Sequence, residues 1–335
     1  VGKQQNVAYK PDEELSQTKR SMEDYLILLY YCYSPIEDVE LFRKTHHQFC
    51  IDHKLLGRII VAKEGINGSV SGLKADCEKY MAHLKADPRF SHIQFKIEPH
   101  HAHAFQKLHV RVKNEIVHSG LRHIDPNKKT GRHIEPEDFR KLKDQEDVVI
   151  VDVRSDYESA VGKFKDAITL DIANFRDFPA KVNELEPHKG KKIITYCTGG
   201  IKCEKASAYL LEKGFKNVSQ LHGGIINYSH ETGGEDFEGK CYVFDNRIVA
   251  DVNRINPSVI SKCHICHAPS DRMVNCANPG CNKHVPICES CSESMAGACS
   301  EACKSHPKKR PYDGKGSYPK KLNGYNPRIG AERLQ

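Results

Sequence analysis

Apolar positions change their period along this chain, and the changes divide it. Residues 26–33 are an almost unbroken apolar and aromatic run, the pattern of a buried strand. Over 37–53 the apolar positions Val39, Leu41, Phe42 and Phe49 fall on one side of a predicted helix. A strand at 58–62 leads to a turn, Glu64-Gly65-Ile66-Asn67-Gly68. A strand at about 68–71, a helix near 73–86 and a strand near 92–97 follow. The order βαββαβ predicts a ferredoxin-like domain over 25–98, an antiparallel sheet with two helices on one face. Residues 1–24 before it are a polar extension.

Residues 99–134 read as a basic, His-rich connector with a strand-like piece at 108–112 and a polar turn at 125–128. Its histidines lack a convincing ligand spacing and are expected to face solvent or RNA. From 147 the pattern is α/β. Residues 148–153 are continuously apolar, as in a parallel sheet covered on both faces. Strands near 167–170, 192–196 and 217–221 follow, with helices between, giving a second domain over 135–240. The overall class is therefore α+β followed by α/β, with a small cysteine-rich segment at 241–303 and a basic tail at 304–335.

The strand at 192–196 ends at Cys197, and the loop Thr198-Gly199-Gly200-Ile201-Lys202 leads into a helix near Cys203. A thiol at this junction meets free loop N–H groups and the positive end of a helix dipole, both of which favour an anion. Its pKa should be lowered, leaving a thiolate near neutral pH. Lys202 would add a point charge, and Cys203 could resolve an oxidised Cys197. Asp152, Arg154 and Glu158, just after the first strand of this domain, read as an ion-pair cluster holding a loop. A phosphatase loop would carry arginine at position 203, and here it is cysteine.

Eight of the fourteen cysteines fall within residues 263–303, as the pairs Cys263/Cys266, Cys276/Cys281, Cys288/Cys291 and Cys299/Cys303. Tight thiolate pairs suit tetrahedral zinc in a structural role, ahead of an iron–sulfur cluster. Two sites are expected, sequential or interleaved; spacing leaves both open. His264, His267 and His284 are possible replacements for a cysteine. In a chain with no visible export signal such a cluster suits a reducing compartment, so a cytoplasmic protein is expected. The longest apolar run is too short to span a bilayer, and no membrane partner is expected.

The formal charge of +7 lies in the tail: residues 304–335 hold nine Lys or Arg and two acids, leaving the rest neutral in sum. Basic residues interleaved with tyrosines suit a nucleic-acid backbone. By charge and position alone the RNA-contact candidates are Lys63, Asn67, Arg111, Lys113, Arg122, Lys308, Lys309 and Arg310.

The segment Asp152-Val153-Arg154-Ser155-Asp156-Tyr157-Glu158, the stretch Gly162 to Ile168, the Cys197 loop and Leu221-His222-Gly223-Gly224-Ile225 together resemble a rhodanese domain. That resemblance implies a cysteine able to carry a persulfide in a cradle of backbone N–H groups. With Ala62-Lys63-Glu64-Gly65-Ile66-Asn67-Gly68 and the C-terminal cysteines added, residues 25–303 resemble the rhodanese-containing tRNA uridine hydroxylases (the TrhO family). This implies a tRNA substrate, molecular oxygen as co-substrate and 5-hydroxyuridine at the wobble position as product. The chain shows no GxGxxG fingerprint and so no flavin or NAD motif. The expected chemistry is therefore covalent: Cys197 adds to C6 of the uracil, oxygen attacks C5, and Cys203 helps reduce the peroxide. Two alternatives are a sulfurtransferase working through a Cys197 persulfide with a sulfur-donor protein, and a zinc-stapled binding module.

Overall fold

The computed structural model describes residues 24–281 and 283–314. Nearly all of the polar extension and the tail beyond Gly314 therefore lie outside the described residues. The first domain consists of β1 (Tyr25–Tyr33), α1 (Val39–Asp52), β2 (Leu56–Ala62), β3 (Gly65–Leu73), α2 (Lys74–Ala86), β4 (Gln94–His100) and β5 (Leu108–Val112). Its sheet runs β4-β1-β3-β2-β5, antiparallel except for the parallel pair β2 and β5. The piece read as a strand within the connector is thus the fifth strand of this sheet.

The apolar run of β1 is explained by burial on both faces. Leu26, Leu28, Tyr30 and Cys32 point into the core that the helices cover. Leu29 packs against the core of the second domain, and Tyr31 and Tyr33 join a cluster with Ala62, Ile116 and Ile201. Leu41, grouped with the apolar side of α1 by its sequence, is 58% exposed, while Val39, Phe42 and Phe49 pack inward.

The turn expected at 64–68 is shorter. β2 ends at Ala62 and β3 starts at Gly65, so only Lys63 and Glu64 form it. Gly65, at φ +146°, is required by close approach: a Cβ there would sit 2.0 Å from the Cys32 carbonyl oxygen. Glu64 reaches out of the turn to accept from the fully buried Lys205 ammonium at 2.8 Å and from the Ile116 N–H at 2.8 Å. This segment clamps the two domains together.

The second domain begins with β6 (Arg132–Ile134), also inside the expected connector, and α3 (Pro136–Leu142). It continues through β7 (Val148–Asp152), α4 (Asp156–Ser159), β8 (Gly162–Phe164), β9 (Ile168–Thr169) and α5 (Phe178–Lys181). Then come β10 (Lys192–Tyr196), α6 (Ile201–Glu212), β11 (Val218–Leu221) and α7 (Gly224–Thr232). The sheet order is β6-β11-β10-β7-β9, every pair parallel. β10 is therefore central, with separate apolar cores on its two faces. Beyond it, β12 (Phe237–Gly239) pairs with β8, and β13 (Cys241–Tyr242) with β14 (Val249–Ala250). The cysteine-rich module is a hairpin of β15 (Met273–Asn275) and β16 (His284–Pro286) with α8 (Glu289–Ser294) and α9 (Glu301–Lys304). Among the described residues no helix is long and apolar enough to cross a membrane.

Arg154 is fully buried and holds the carboxylate of Asp152 through Nε at 2.9 Å and Nη2 at 2.6 Å. It also donates to the Gly162 carbonyl at 2.6 Å, and Tyr196 donates its phenol to Asp152 at 2.8 Å. This cluster ties the end of β7 to β8 and β10. Removing one partner leaves an uncompensated buried charge. Arg154→Ala is expected to lower unfolding stability by about 3–5 kcal/mol, read as a shifted urea midpoint.

Candidate active site

Because β10 is central, its C-terminal end opens where ligands of open parallel sheets bind. Cys197 sits there, only 1% exposed. The loop after it turns through Gly200 at φ +100°, and α6 starts at Ile201. The Gly200 N–H donates to Cys197 Sγ at 3.2 Å. Burial pushes the thiol pKa up. The Cys203 thiol, the Lys202 ammonium and the backbone N–H groups of Lys202 and Cys203 outweigh it and bring the pKa to about 6. Cys203, itself fully buried, is pushed well above the usual thiol range by desolvation and by the adjacent Cys197 charge. The pair therefore comprises a thiolate and a thiol that donates to it.

Lys202, whose charge lowers the Cys197 pKa, is itself paired through Nζ with the buried carboxylate of Glu158 at 2.5 Å. Thr198 donates to the Tyr242 carbonyl at 3.4 Å, fixing the loop against β13. Gly199 and Gly200 admit the first domain: a Cβ on Gly199 would approach Leu29 Cδ2 to 2.9 Å.

The first domain covers this loop with residues that sequence reasoning missed. Lys96 of β4, 7% exposed, donates to the Gly199 carbonyl at 3.0 Å. Burial drives its pKa down to about 8, against the pull of Cys197 and Glu204. Tyr31 of β1 donates to Glu204 at 2.9 Å. Glu204 also receives His133 at 2.9 Å, Thr130 at 3.0 Å and Gln220 at 3.1 Å. Burial raises the Glu204 pKa, but these donors, His133 first, hold it below the usual carboxylate value. His133 is raised in turn by its bond to Glu204. A cleft of about 270 Å³ opens beside them, lined by Tyr31, Tyr33, Lys96, Asn127, His133 and Glu204 among others. No signal in the sequence marked Lys96, which alternates with Phe95 and Ile97 at what reads as an ordinary polar strand position.

Of the RNA-contact candidates, Lys63, Arg111 and Lys113 are exposed along the β2–β5 edge, with Val61 paired to Val112. Arg122 and Lys308 are exposed and Lys309 half-buried, away from that edge in sequence. Asn67 donates its amide to the Ile116 carbonyl at 2.8 Å, a contact within the domain interface. The Arg310 guanidinium donates to the Cys276 and Ala277 carbonyls at 2.6 and 3.2 Å, holding the chain on the cysteine module.

The eight cysteines form two sets, Cys263, Cys266, Cys288 and Cys291, and Cys276, Cys281, Cys299 and Cys303, each with its sulfurs within 4.8 Å of one another. The first pair thus joins the third and the second joins the fourth, an interleaved cross-brace. Sulfurs at about 2.3 Å from a tetrahedral metal stand about 3.8 Å apart. The distances here are 3.7 Å for Cys266 and Cys288, 3.6 Å for Cys281 and Cys299, and 3.9 Å for Cys299 and Cys303. Both sets therefore fit a metal ion. His264, His267 and His284 belong to neither set; His284 bonds Asn275 at 2.7 Å.

Three family models match the chain: a UPF0176 acylphosphatase like domain over residues 25–116, a rhodanese-like domain over 135–231 and a rhodanase C-terminal domain over 238–304. A tRNA uridine(34) hydroxylase of Cytophaga hutchinsonii is 64% identical over 312 residues, covering 93% of this chain and 100% of that protein. The protein of the same name from Staphylococcus haemolyticus is 48% identical, over 75% of this chain and 80% of that one. Among solved structures, a rhodanese-like domain protein from Staphylococcus aureus is 28% identical over 29% of this chain and 90% of its own, with a TM-score of 0.26.

The geometry sets an expected titration. Thiolate ultraviolet absorbance should rise with a midpoint near pH 6 in the native protein and lose that component in Cys197→Ser. A midpoint at the ordinary thiol value would mean that the cradle does not stabilise the anion.

Proposed function

The chain belongs to the tRNA uridine(34) hydroxylase family, and from that premise we propose that it forms 5-hydroxyuridine at the wobble position of tRNA, with Cys197 as the attacking thiol. The observation that carries the role of Cys197 is a thiol 1% exposed that receives the Gly200 N–H at 3.2 Å at the start of α6, while a cleft of about 270 Å³ opens beside Glu204 on the same helix.

The thiolate adds to C6 of the extruded uracil, and the C5=C6 electron pair becomes an enolate over C5 and O4. C5 then bonds to molecular oxygen, and a proton completes a C5 hydroperoxide. Adduct formation consumes the negative charge on Cys197, one of the causes that hold the Cys203 proton in place. Cys203 is thereby freed to ionise and attack the terminal peroxide oxygen. The O–O bond breaks, leaving a C5 hydroxyl and a Cys203 sulfenic acid. Loss of the C5 proton expels Cys197 and restores the ring double bond. Cys197 and the sulfenic acid condense to a disulfide with release of water, and an external dithiol reduces it. The sum is uridine, oxygen and two thiols giving 5-hydroxyuridine, water and a disulfide.

The exposed edge carrying Lys63, Arg111 and Lys113 is proposed to contact the tRNA backbone, joined by Arg122, Lys308 and Lys309. The two cysteine sets are proposed to hold structural zinc, which supplies folding energy to a module with little core. A reducing, cytoplasmic setting suits free thiols in such sets.

Nucleoside mass spectrometry of tRNA incubated in air tests the central step. The native protein should yield 5-hydroxyuridine, Cys197→Ala none, and Cys203→Ser at least ten-fold less per minute than native, on the order expected for losing one positioned group. Unmodified tRNA together with thiocyanate formed from thiosulfate and cyanide would instead establish a sulfurtransferase. Metal analysis should find two zinc ions per chain, matching the two sets. Cys276→Ser should lose one of them and Cys263→Ser the other.

A further inference from the structure

A rhodanese-like domain supplies the thiolate, yet Lys96 and Tyr31, which close over its loop and α6, come from the other domain. We propose that Lys96 is a catalytic residue of the first domain: its ammonium binds O4 of a uracil seated between the cleft that Lys96 lines and the Cys197 loop, and stabilises the enolate formed when sulfur adds to C6. This rests on the hydroxylase reading and extends it to a residue outside the rhodanese fold.

Lys96 lines the 270 Å³ cleft and is 7% exposed. An ammonium has three donors and no acceptor. One proton of Lys96 goes to the Gly199 carbonyl, and the Tyr31 ring lies 5.0 Å below the charge. Such a donor in a water-poor wall calls for an acceptor brought by the ligand. Uracil offers a carbonyl oxygen at C4, where cytosine carries an amino group that an ammonium repels.

The surroundings leave Lys96 free for this role. Glu204, the nearest carboxylate on α6, is occupied by Tyr31, His133, Thr130 and Gln220. On the other side, Glu98 and Asp245 are held by Arg247 at 2.5 and 2.6 Å. The cleft also contains the Tyr33 phenol, buried with no partner among the described residues. Lys96 donates to the Gly199 carbonyl at 3.0 Å and a Cβ on Gly200 would meet the Tyr31 hydroxyl at 3.0 Å, so this wall closes on the loop that carries Cys197.

When the sulfur pair forms the C6 bond, the ring π pair moves through C5 to O4, and no proton is transferred. A fixed ammonium at O4 stabilises the transition state more than the neutral carbonyl. The charged groups facing Lys96 are Cys197, Glu204 and His133, with the Tyr31 phenol beside them. Since the Lys96 pKa lies at about 8, the rate should fall above that pH as the ammonium is lost.

The test uses the full chain and tRNA bearing either uridine or 4-thiouridine at position 34, whose sulfur is a poor acceptor. Lys96→Met is expected to lower kcat/KM on uridine by about 10²–10³-fold. The sulfur substitution should slow the native enzyme yet add little in Lys96→Met, because both changes remove one contact. Lys96→Arg, which keeps the charge, should retain more activity than Lys96→Met and lose the fall above pH 8. It also serves as the test should Lys96→Met fail to fold. Losses that multiply, a Lys96→Met rate close to native, or an unchanged alkaline limb in Lys96→Arg would overturn the proposal while leaving hydroxylation intact. No hydroxylation by the native protein would overturn the underlying reading, and this inference with it.

Discussion

A negative charge held out of water organises this protein. Cys197 keeps a thiolate at 1% exposure because a second thiol donates to it, the Lys202 ammonium attracts it and the loop turns its N–H groups inward at the start of α6. Desolvation alone would protonate it. The glycines of the loop, the centrality of β10 and the fixed ends of β7 and β8 all serve that arrangement. The Asp152–Arg154 pair is the clearest case, since its buried network holds the neighbouring strand ends in register.

The same requirement explains the first domain. An open loop would admit bulk water, which competes for the hydrogen bonds and screens the charge. β1 solves this with two apolar faces, one for its own helices and one for the active-site loop. Glu64 and Lys205 fasten the two domains, and Lys96 and Tyr31 close over the loop and α6. The segment from Ala62 to Gly68 is thus partly interfacial: Glu64 bonds Lys205 across the interface, Asn67 holds the Ile116 carbonyl beside it, and Gly65 permits close approach to β1.

The cysteine module is held by different physics. Its apolar cluster is largely the cysteines themselves with Val274, Ile287 and Ala298. So small a core gives little burial energy, and metal–thiolate bonds suit the deficit. Interleaving makes each cysteine set draw on both halves of the module. The aromatic contacts of His284 with Tyr157 and Tyr242 seat it on the second domain beside the strand that Thr198 bonds.

The sequence alone determined what repeats locally. Strand and helix periods marked both sheets, the loop after Cys197 announced an anion site, and paired cysteines announced sets of thiol ligands. Each of these depends on neighbours in the chain, which periodicity, turn chemistry and ligand spacing record. Tertiary structure decided what depends on distant neighbours. The strand at 108–112 joined the first sheet through β2, and β6 joined the second through β11. The cysteine sets interleaved, a choice that spacing cannot make. Lys96, an ordinary cation in sequence, became buried against Gly199 more than a hundred positions away. Lys202, the expected counter-charge, lowers the Cys197 pKa while it is itself paired with Glu158 from a distant segment. A side chain's charge is written in the sequence; what that charge faces is set only when separate segments pack and water leaves between them.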